Sequence, residues 1–372
     1  MIGKVKAGIQ KHLSNIPGWR TNRKIVVIES DDWGSIRMSS NEAREKLSAA
    51  GLTLDKGAGA RYNLYDTLAS KQDLSNLFEV LESNKDSKGK SAKITAVSVG
   101  ANPDFEKIKA ENYANYYYEP MTKTLERYNM SDAFPLWKEG KERDIFVPEF
   151  HGREHLNISS WMRSLKSGDP ETLLAFDHGV TGFKRKNSPI DFQAAFDLEY
   201  TKDLAVQKEI IKDGLVLFEK LHGYKSRFFV PPNGKINSSL EDIAAEQGVV
   251  YISTPKSYHE VLGEGQIKKH YRYIGKKNEN NQLYITRNGF FEPSGSERDE
   301  VNGCLAEIGV AFMWNKPAII SSHRVNYIGS LDERNRDSSL KQLDKLLKTI
   351  IKKWPDVEFM TSSELGDVIA GK

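Results

Sequence analysis

Cysteine is nearly missing: Cys304 is the single one in 372 residues. No disulfide can form within the chain, and a zinc–thiolate cluster is excluded. No stretch approaches the roughly 20 apolar residues of a membrane span. The first twelve residues hold no long apolar run and no small-residue cleavage site, so a cytoplasmic protein is expected. An excess of charge of one sign is also lacking. The 54 basic residues stand against 51 acidic ones, spread along the chain. A balance that even does not mark a nucleic-acid binder. The runs Lys184–Lys186, Lys276–Lys277 and Lys352–Lys353 are short and read as solvated surface. No Gly-x-Ser-x-Gly elbow occurs, which argues against a serine-nucleophile hydrolase. Internal repeats and low-complexity tracts are absent.

What is present suits a globular enzyme. Apolar residues make up 38% and aromatics 10%, enough for a sizeable core, and the charged fraction is 28%. A β/α barrel can use this length as one domain. Behind an amphipathic lead-in at residues 1–22, apolar β-branched runs and helical patterns alternate. Strands are expected at Lys24–Glu29, Lys93–Val99, Arg143–Val147, Arg227–Val230, Val249–Ile252, Leu283–Thr286, Ala318–Ser321 and Val357–Met360. Helices are expected at Asn41–Ala50, from Pro103 to Lys109, from His151 to about Ser164, and at Asp203–Leu221. Further helices are expected at Ser238–Gln247, Glu300–Trp314 and Leu331–Trp354, with a capping box at Thr361–Glu364. The alternation argues for a mainly parallel sheet covered by helices. The expectation is an α/β chain forming one barrel domain over residues 1–372, with insertions at about 40–140 and 160–200.

Polar residues gather at the ends of the expected strands. Asp31-Asp32-Trp33-Gly34 follows the first, and His151-Gly-Arg-Glu-His155 the third. Pro231-Pro232-Asn233-Gly234 and Ser322-His323 follow two later ones. In a β/α barrel those ends meet at one mouth. Two histidines four apart lie on one face of a helix, close enough to share a metal. Two adjacent carboxylates cannot both be core residues. One could join the histidines as a ligand, leaving open positions for water and substrate. The other could then take a proton from that water. His323 is the remaining candidate.

These residues resemble the polysaccharide deacetylases, carbohydrate esterase family four, also called the NodB-homology group. The resemblance lies in Glu29-Ser-Asp31-Asp32-Trp-Gly34, His151-Gly-Arg-Glu-His155, Phe229-Val-Pro231-Pro232-Asn-Gly234 and Ile319-Ile-Ser-Ser-His323, in that order. It implies a distorted seven-stranded β/α barrel. It implies Asp31 as general base, and Asp32, His151 and His155 as ligands of one zinc-like divalent ion, with cobalt, nickel or iron as alternatives. His323 would protonate the departing amine or alcohol, and the backbone amide of Asn233 would help to bind the oxyanion. The implied reaction is hydrolysis of an N- or O-acetyl group on a carbohydrate.

Several positions depart from the pattern. Trp33 separates the second aspartate from the glycine and is a candidate substrate wall. Val230 stands where the family's turn has arginine, so Arg227, Arg324 or Arg37 would have to partner the base. Asn233 replaces the turn's tyrosine, and no Asp-x-x-Asp-Trp segment is found. These departures keep two other readings open: a hydrolase of cyclic amides or imides on the same fold, and a degenerate barrel that binds glycans. The aromatic run Tyr113–Tyr118 reads as packing of the inserted region more readily than as a sugar-stacking surface, and Asp177-His178 reads as loop. Arg287–Pro293 follows a strand and borders the mouth with no assignable chemistry.

Overall fold

The computed structural model describes residues 10–57, 59–183 and 190–372; the basic run at 184–186 and the start of the lead-in lie outside them. In chain order the strands are β1 (Lys24–Trp33), β2 (Ile94–Val99), β3 (Ala101–Pro103), β4 (Tyr118–Pro120), β5 (Phe146–Gly152), β6 (Phe228–Phe229), β7 (Tyr251–Ser253), β8 (Ser257–Gly263), β9 (Gln266–Tyr271), β10 (Leu283–Ile285), β11 (Gly289–Phe290), β12 (Ala318–His323) and β13 (Val357–Met360).

Eight of them follow one another in the order β10-β7-β6-β5-β2-β1-β12-β11, and β13 pairs with β1 as a ninth. Every pairing in this sheet is parallel. The result is a curled, distorted β/α barrel, with eight strands along the path rather than seven. Among the described residues no pairing joins β10 to β11, so the barrel is open there. Strand β1 is central. One edge carries β12 along Val26–Asp31. The other carries β13 on Lys24–Val27 and β2 from Ile28 onward.

Alternation along β1 sorts its side chains. Ile25 and Val27 join Val97, Phe228, Ile285 and Ile319 in the barrel interior. Val26 and Ile28 pack outward with Leu77, Leu343 and Leu347 against the covering helices Lys71–Glu82 and Glu333–Lys353. The terminal helix Ser362–Ala370 contributes Leu365 to the interior cluster. A side chain at Gly366 would place its first carbon 2.6 Å from the Tyr251 ring, so this helix fits only as glycine there. Above this apolar floor the interior turns polar. Glu29 accepts from Ser362 at 2.9 Å and from Ser253 at 3.1 Å. Glu149 accepts from the Ser226 hydroxyl and the amides of Arg227 and Phe228. Burial still pushes the Glu149 carboxyl above its usual range.

Several elements differ from the sequence-based expectation. β1 runs on to Trp33 and β5 to Gly152, so Asp31, Asp32 and His151 lie in strand ends rather than after them. Pro103 ends β3, and Asp104 caps the helix Phe105–Ala110. Ser238 precedes its helix without capping it, because its hydroxyl goes to Glu260. The pattern gave no sign of the antiparallel β8–β9 hairpin, nor of the helix Lys71–Glu82 with its Ser70/Asp73 capping box. The tyrosine run does pack inward: Tyr113 meets Phe176 at 5.2 Å and Tyr116 meets Trp161 at 6.3 Å between ring centroids. Among the described residues no helix is long and apolar enough to cross a membrane.

Candidate metal centre

The end of β1 brings two neighbouring carboxylates to one side. Regular alternation would send Asp32 outward, away from Asp31. Instead the β1–β2 register shifts between Ser30 and Trp33, and Asp32 has a φ of 76°. Both carboxylates therefore line the same cavity of about 650 Å³. The left-handed backbone is unfavourable for a residue with a Cβ, and such strain persists where the surroundings fix it. The surroundings do so here. Trp33 is 1% exposed and packs at 4.8 Å on Phe146 and 6.3 Å on Trp137. Its indole donates to Ser30 Oγ at 2.9 Å. Gly34 follows with φ 84°, and a Cβ on it would lie 2.8 Å from the Val99 carbonyl. Trp33 is thus an anchor in the outer core, not the substrate wall expected from its place in the sequence.

Strand β5 delivers His151, and Gly152, with φ 141°, turns the chain so that His155 returns from the following loop. The two imidazoles share no helix; the next one is Ile158–Lys166. Their ring centroids are 5.0 Å apart. His151 Nδ1 donates to the Val230 carbonyl at 2.6 Å, which leaves Nε2 with the lone pair. That Nε2 lies 3.3 Å from Asp32 Oδ1, and His155 Nε2 lies 3.1 Å from the same oxygen.

Three acceptor-capable atoms thus converge, all within 4.8 Å of one another. Lone pair faces lone pair unless a proton or a cation lies between them. His155 Nδ1 is buried with no partner, so nothing in the protein fixes a second proton on that ring. Two imidazoles and one carboxylate with an open side are the donor set of a catalytic divalent site, and the carbonyl behind His151 is the usual support for such a ligand. The residues fit a zinc-like ion. Burial acts against the Asp32 carboxylate; positive charge on His155 and protons on the two Nε2 atoms would outweigh it and hold it well below the usual carboxylate range, and a cation in their place would act in the same direction.

Asp31 lines the same cavity as the triad. Arg287 reaches it from the segment after β10, with Nη1 at 2.7 Å from Oδ2 and Nη2 at 2.6 Å from Oδ1. Its Nε spans to Glu29 at 2.6 Å. Burial would lower the Arg287 guanidinium, but the charges of Asp31 and Glu29 raise it above its ordinary value. Beside Asp31, from the adjacent strand β12, stands His323. Its Nδ1 lies 2.5 Å from Glu292 Oε1, and Glu292 is itself held by Arg61 at 2.7 Å and Asn326 at 2.9 Å. Burial disfavours the imidazolium, yet Glu292, and behind it Asp32 and Asp31, carry its pKa up to about 9.

The other expected residues fall in different places. Asn233 lines the cavity, in a short turn where its φ is 54°. Arg227 lies away from the cavity, on Asp367 and the Tyr251 hydroxyl. Arg324 is fully buried, donating to Asp66 and to the Ser35 carbonyl. Neither reaches Asp31, because each guanidinium is used up by partners of its own. Arg37 does reach the cavity but bonds Gln193. The sequence placed Arg287 and Glu292 at the mouth without a role, and it gave no sign of Arg61 or of Tyr62, which lines the cavity and accepts from Arg61. Arg287 and Glu292 do follow a strand end, the same signal that marked the other candidates.

No family model matches the chain, and no curated protein matches it. Among solved structures, an allantoinase is similar at 12% identity and a TM-score of 0.48, over 94% of this chain and 91% of that one. A Pseudomonas aeruginosa protein assigned as a polysaccharide deacetylase is similar at 11% identity and a TM-score of 0.48, over 93% and 90%. A Bacillus anthracis protein described as a pseudoenzyme of carbohydrate esterase family four is similar at 12% identity and a TM-score of 0.40, over 94% and 69%.

Proposed function

We propose that the chain is a metal-dependent hydrolase that removes an acetyl group from an amide or ester on a carbohydrate. The observation that carries this reading is the placement of Asp31 and His323 next to each other in the cavity of the Asp32–His151–His155 triad, Asp31 held by Arg287 and His323 by Glu292. The four strand-end motifs that resemble the carbohydrate deacetylases support the choice of substrate class.

A divalent cation held by Asp32, His151 and His155 would supply Lewis acidity toward an acyl carbonyl. The chain's own residues do the rest. Arg287 grips both oxygens of Asp31 and so fixes the direction of its carboxylate. Asp31 takes the proton of the attacking water. His323 Nε2 lies 3.9 Å from Asp31 Oδ2, too far for a direct hydrogen bond yet close enough for a single reacting oxygen or nitrogen, lying off the line between them, to reach both base and acid. Glu292 keeps His323 protonated, and His323 gives that proton to the departing nitrogen or oxygen. Asn233 lines the cavity, and its backbone amide is assigned as the protein's donor toward the oxyanion.

The test is acetate release by the zinc-loaded full chain from N- and O-acetylated sugars, with cyclic imides as a parallel panel. Asp31→Asn should keep the metal and lose about 10²–10⁴-fold in kcat. Acetate release that survives complete removal of metal would sink the assignment, and ring opening without acetate release would replace the substrate.

A further inference from the structure

The cavity wall holds four basic side chains, Lys11, Arg37, Lys256 and Arg287, and four acidic ones, Asp31, Asp32, Asp191 and Glu307. Arg287 holds Asp31, Lys11 meets Glu307, and Asp32 belongs to the triad. Two cations are left over, with one carboxylate, Asp191, which accepts from the Gln193 backbone amide. Among the described residues Arg37 forms no ion pair, and its one hydrogen bond runs from Nη1 to Gln193 Oε1. Its Nε is buried with no partner. Lys256 donates to the Ser14 hydroxyl at 3.2 Å and to nothing else among the described residues. Other half-buried arginines of this protein, such as Arg61 and Arg287, sit on carboxylates.

Arg37 is also held in place. Its guanidinium carbon lies 5.4 Å from the centroid of the Tyr62 ring. The backbone of Gly182 lies close by, where a Cβ would come within 2.5 Å of Nε. The Tyr62 ring is in turn 5.5 Å from the His323 ring. Arg37 therefore stands one aromatic ring away from the proton donor. The nearby Asp66 feels the Arg37 charge but is bonded to Arg324. A half-buried cation with no carboxylate of its own in contact is unfavourable, and a fixed guanidinium presents a fork that matches two oxygens of a planar or tetrahedral anion. A divalent ion on the triad would leave the whole wall net positive, which draws in negative ligands. Burial lowers Lys256 to about 8, a shift that an anion beside it would reverse.

We infer that the substrate carries an oxyanion, a carboxylate or a phosphate, which seats on Arg37 with Lys256 adding attraction while the acyl group reaches the triad. This rests on the hydrolase reading above. The probes are N-acetylglucosamine, its 6-phosphate, and N-acetylmuramic acid, which carries a carboxylate. Affinity is measured by calorimetry on the zinc-loaded full chain, with acetate release followed separately. One charged sugar should bind about ten-fold or more tighter than the neutral one. Added salt should narrow the gap. Arg37→Gln should abolish the preference, Arg37→Lys should restore part of it, and Lys256→Ala should reduce it. Equal affinity for all three sugars overturns the inference, as does a preference that survives Arg37→Gln, which would place the anion on the metal instead. A preference without acetate release keeps the anion seat and overturns the hydrolase reading. Acetate release with equal affinities does the reverse.

Discussion

Asp31 and His323 are register partners on the adjacent parallel strands β1 and β12, and their side chains close to 3.9 Å between Oδ2 and Nε2. Two groups proposed for opposite proton transfers are thus set by one ladder of backbone hydrogen bonds. Their separation depends on sheet register rather than on loop conformation.

The pairing of His323 with Glu292 fixes a pH dependence. The imidazolium persists up to about pH 9. A proton donor of that kind is competent below this value, so kcat should fall as pH rises through it. Glu292→Gln removes the charge that raises the pKa and leaves the burial that lowers it. The alkaline limb should then move down by about 1–3 units. The folded-state pKa is above the unfolded value of 6.5, so the pair's stabilisation is complete below that value and lost as pH rises through about 9. A pH–rate profile of both proteins decides the matter, and an unmoved limb would separate Glu292 from the proton donor.

Arg287 satisfies two carboxylates buried in the barrel, Glu29 and Asp31. Arg287→Ala leaves both without their cation, and removing one partner of a buried pair costs about 3–5 kcal/mol. Arg287→Lys should not rescue turnover, because an ammonium cannot span three carboxylate oxygens as the fork does. Denaturant midpoints and kcat for the two variants provide the check.

Metal should stabilise the fold as well as support turnover. An ion at about 100 times its Kd adds about 2.7 kcal/mol to stability. Zinc should therefore raise the melting temperature of chelator-treated protein, and His151→Ala or His155→Ala should cancel the rise. A melting temperature indifferent to zinc in the unaltered chain would contradict the site.

Trp33 belongs to the outer core, so Trp33→Ala should behave as a cavity mutation, destabilising by about 3–5 kcal/mol. Calorimetric melting measures this. A loss of substrate affinity with unchanged stability would return Trp33 to the cavity wall.

Much of the barrel was legible in the sequence because β1, β2, β12 and β13 are apolar β-branched runs at least four residues long. The triad was legible because histidines and adjacent aspartates are scarce and fell at strand ends. The route from His151 to His155 was misread, since a spacing of four fits a helix as readily as a strand end turned by Gly152. Arg287 was not legible as the partner of Asp31. The sequence holds many arginines, and nothing in a spacing shows that β10 and β1 face each other across a barrel. The β8–β9 hairpin escaped because β9 is mostly exposed and polar, which leaves no alternating apolar pattern to find.

Strand β1 is bordered on one edge by β12 and on half of the other by β13, both supplied from far along the chain. During synthesis β1 emerges early and must wait with exposed backbone for those neighbours. The bend that turns Asp32 toward Asp31 is set by β2 and by Trp33 packed on Phe146 and Trp137, all earlier in the chain than β12. A nascent chain halted before β12 would already hold β1, β2 and β5 with the triad's residues, yet lack His323 and the strand edge that sets it beside Asp31.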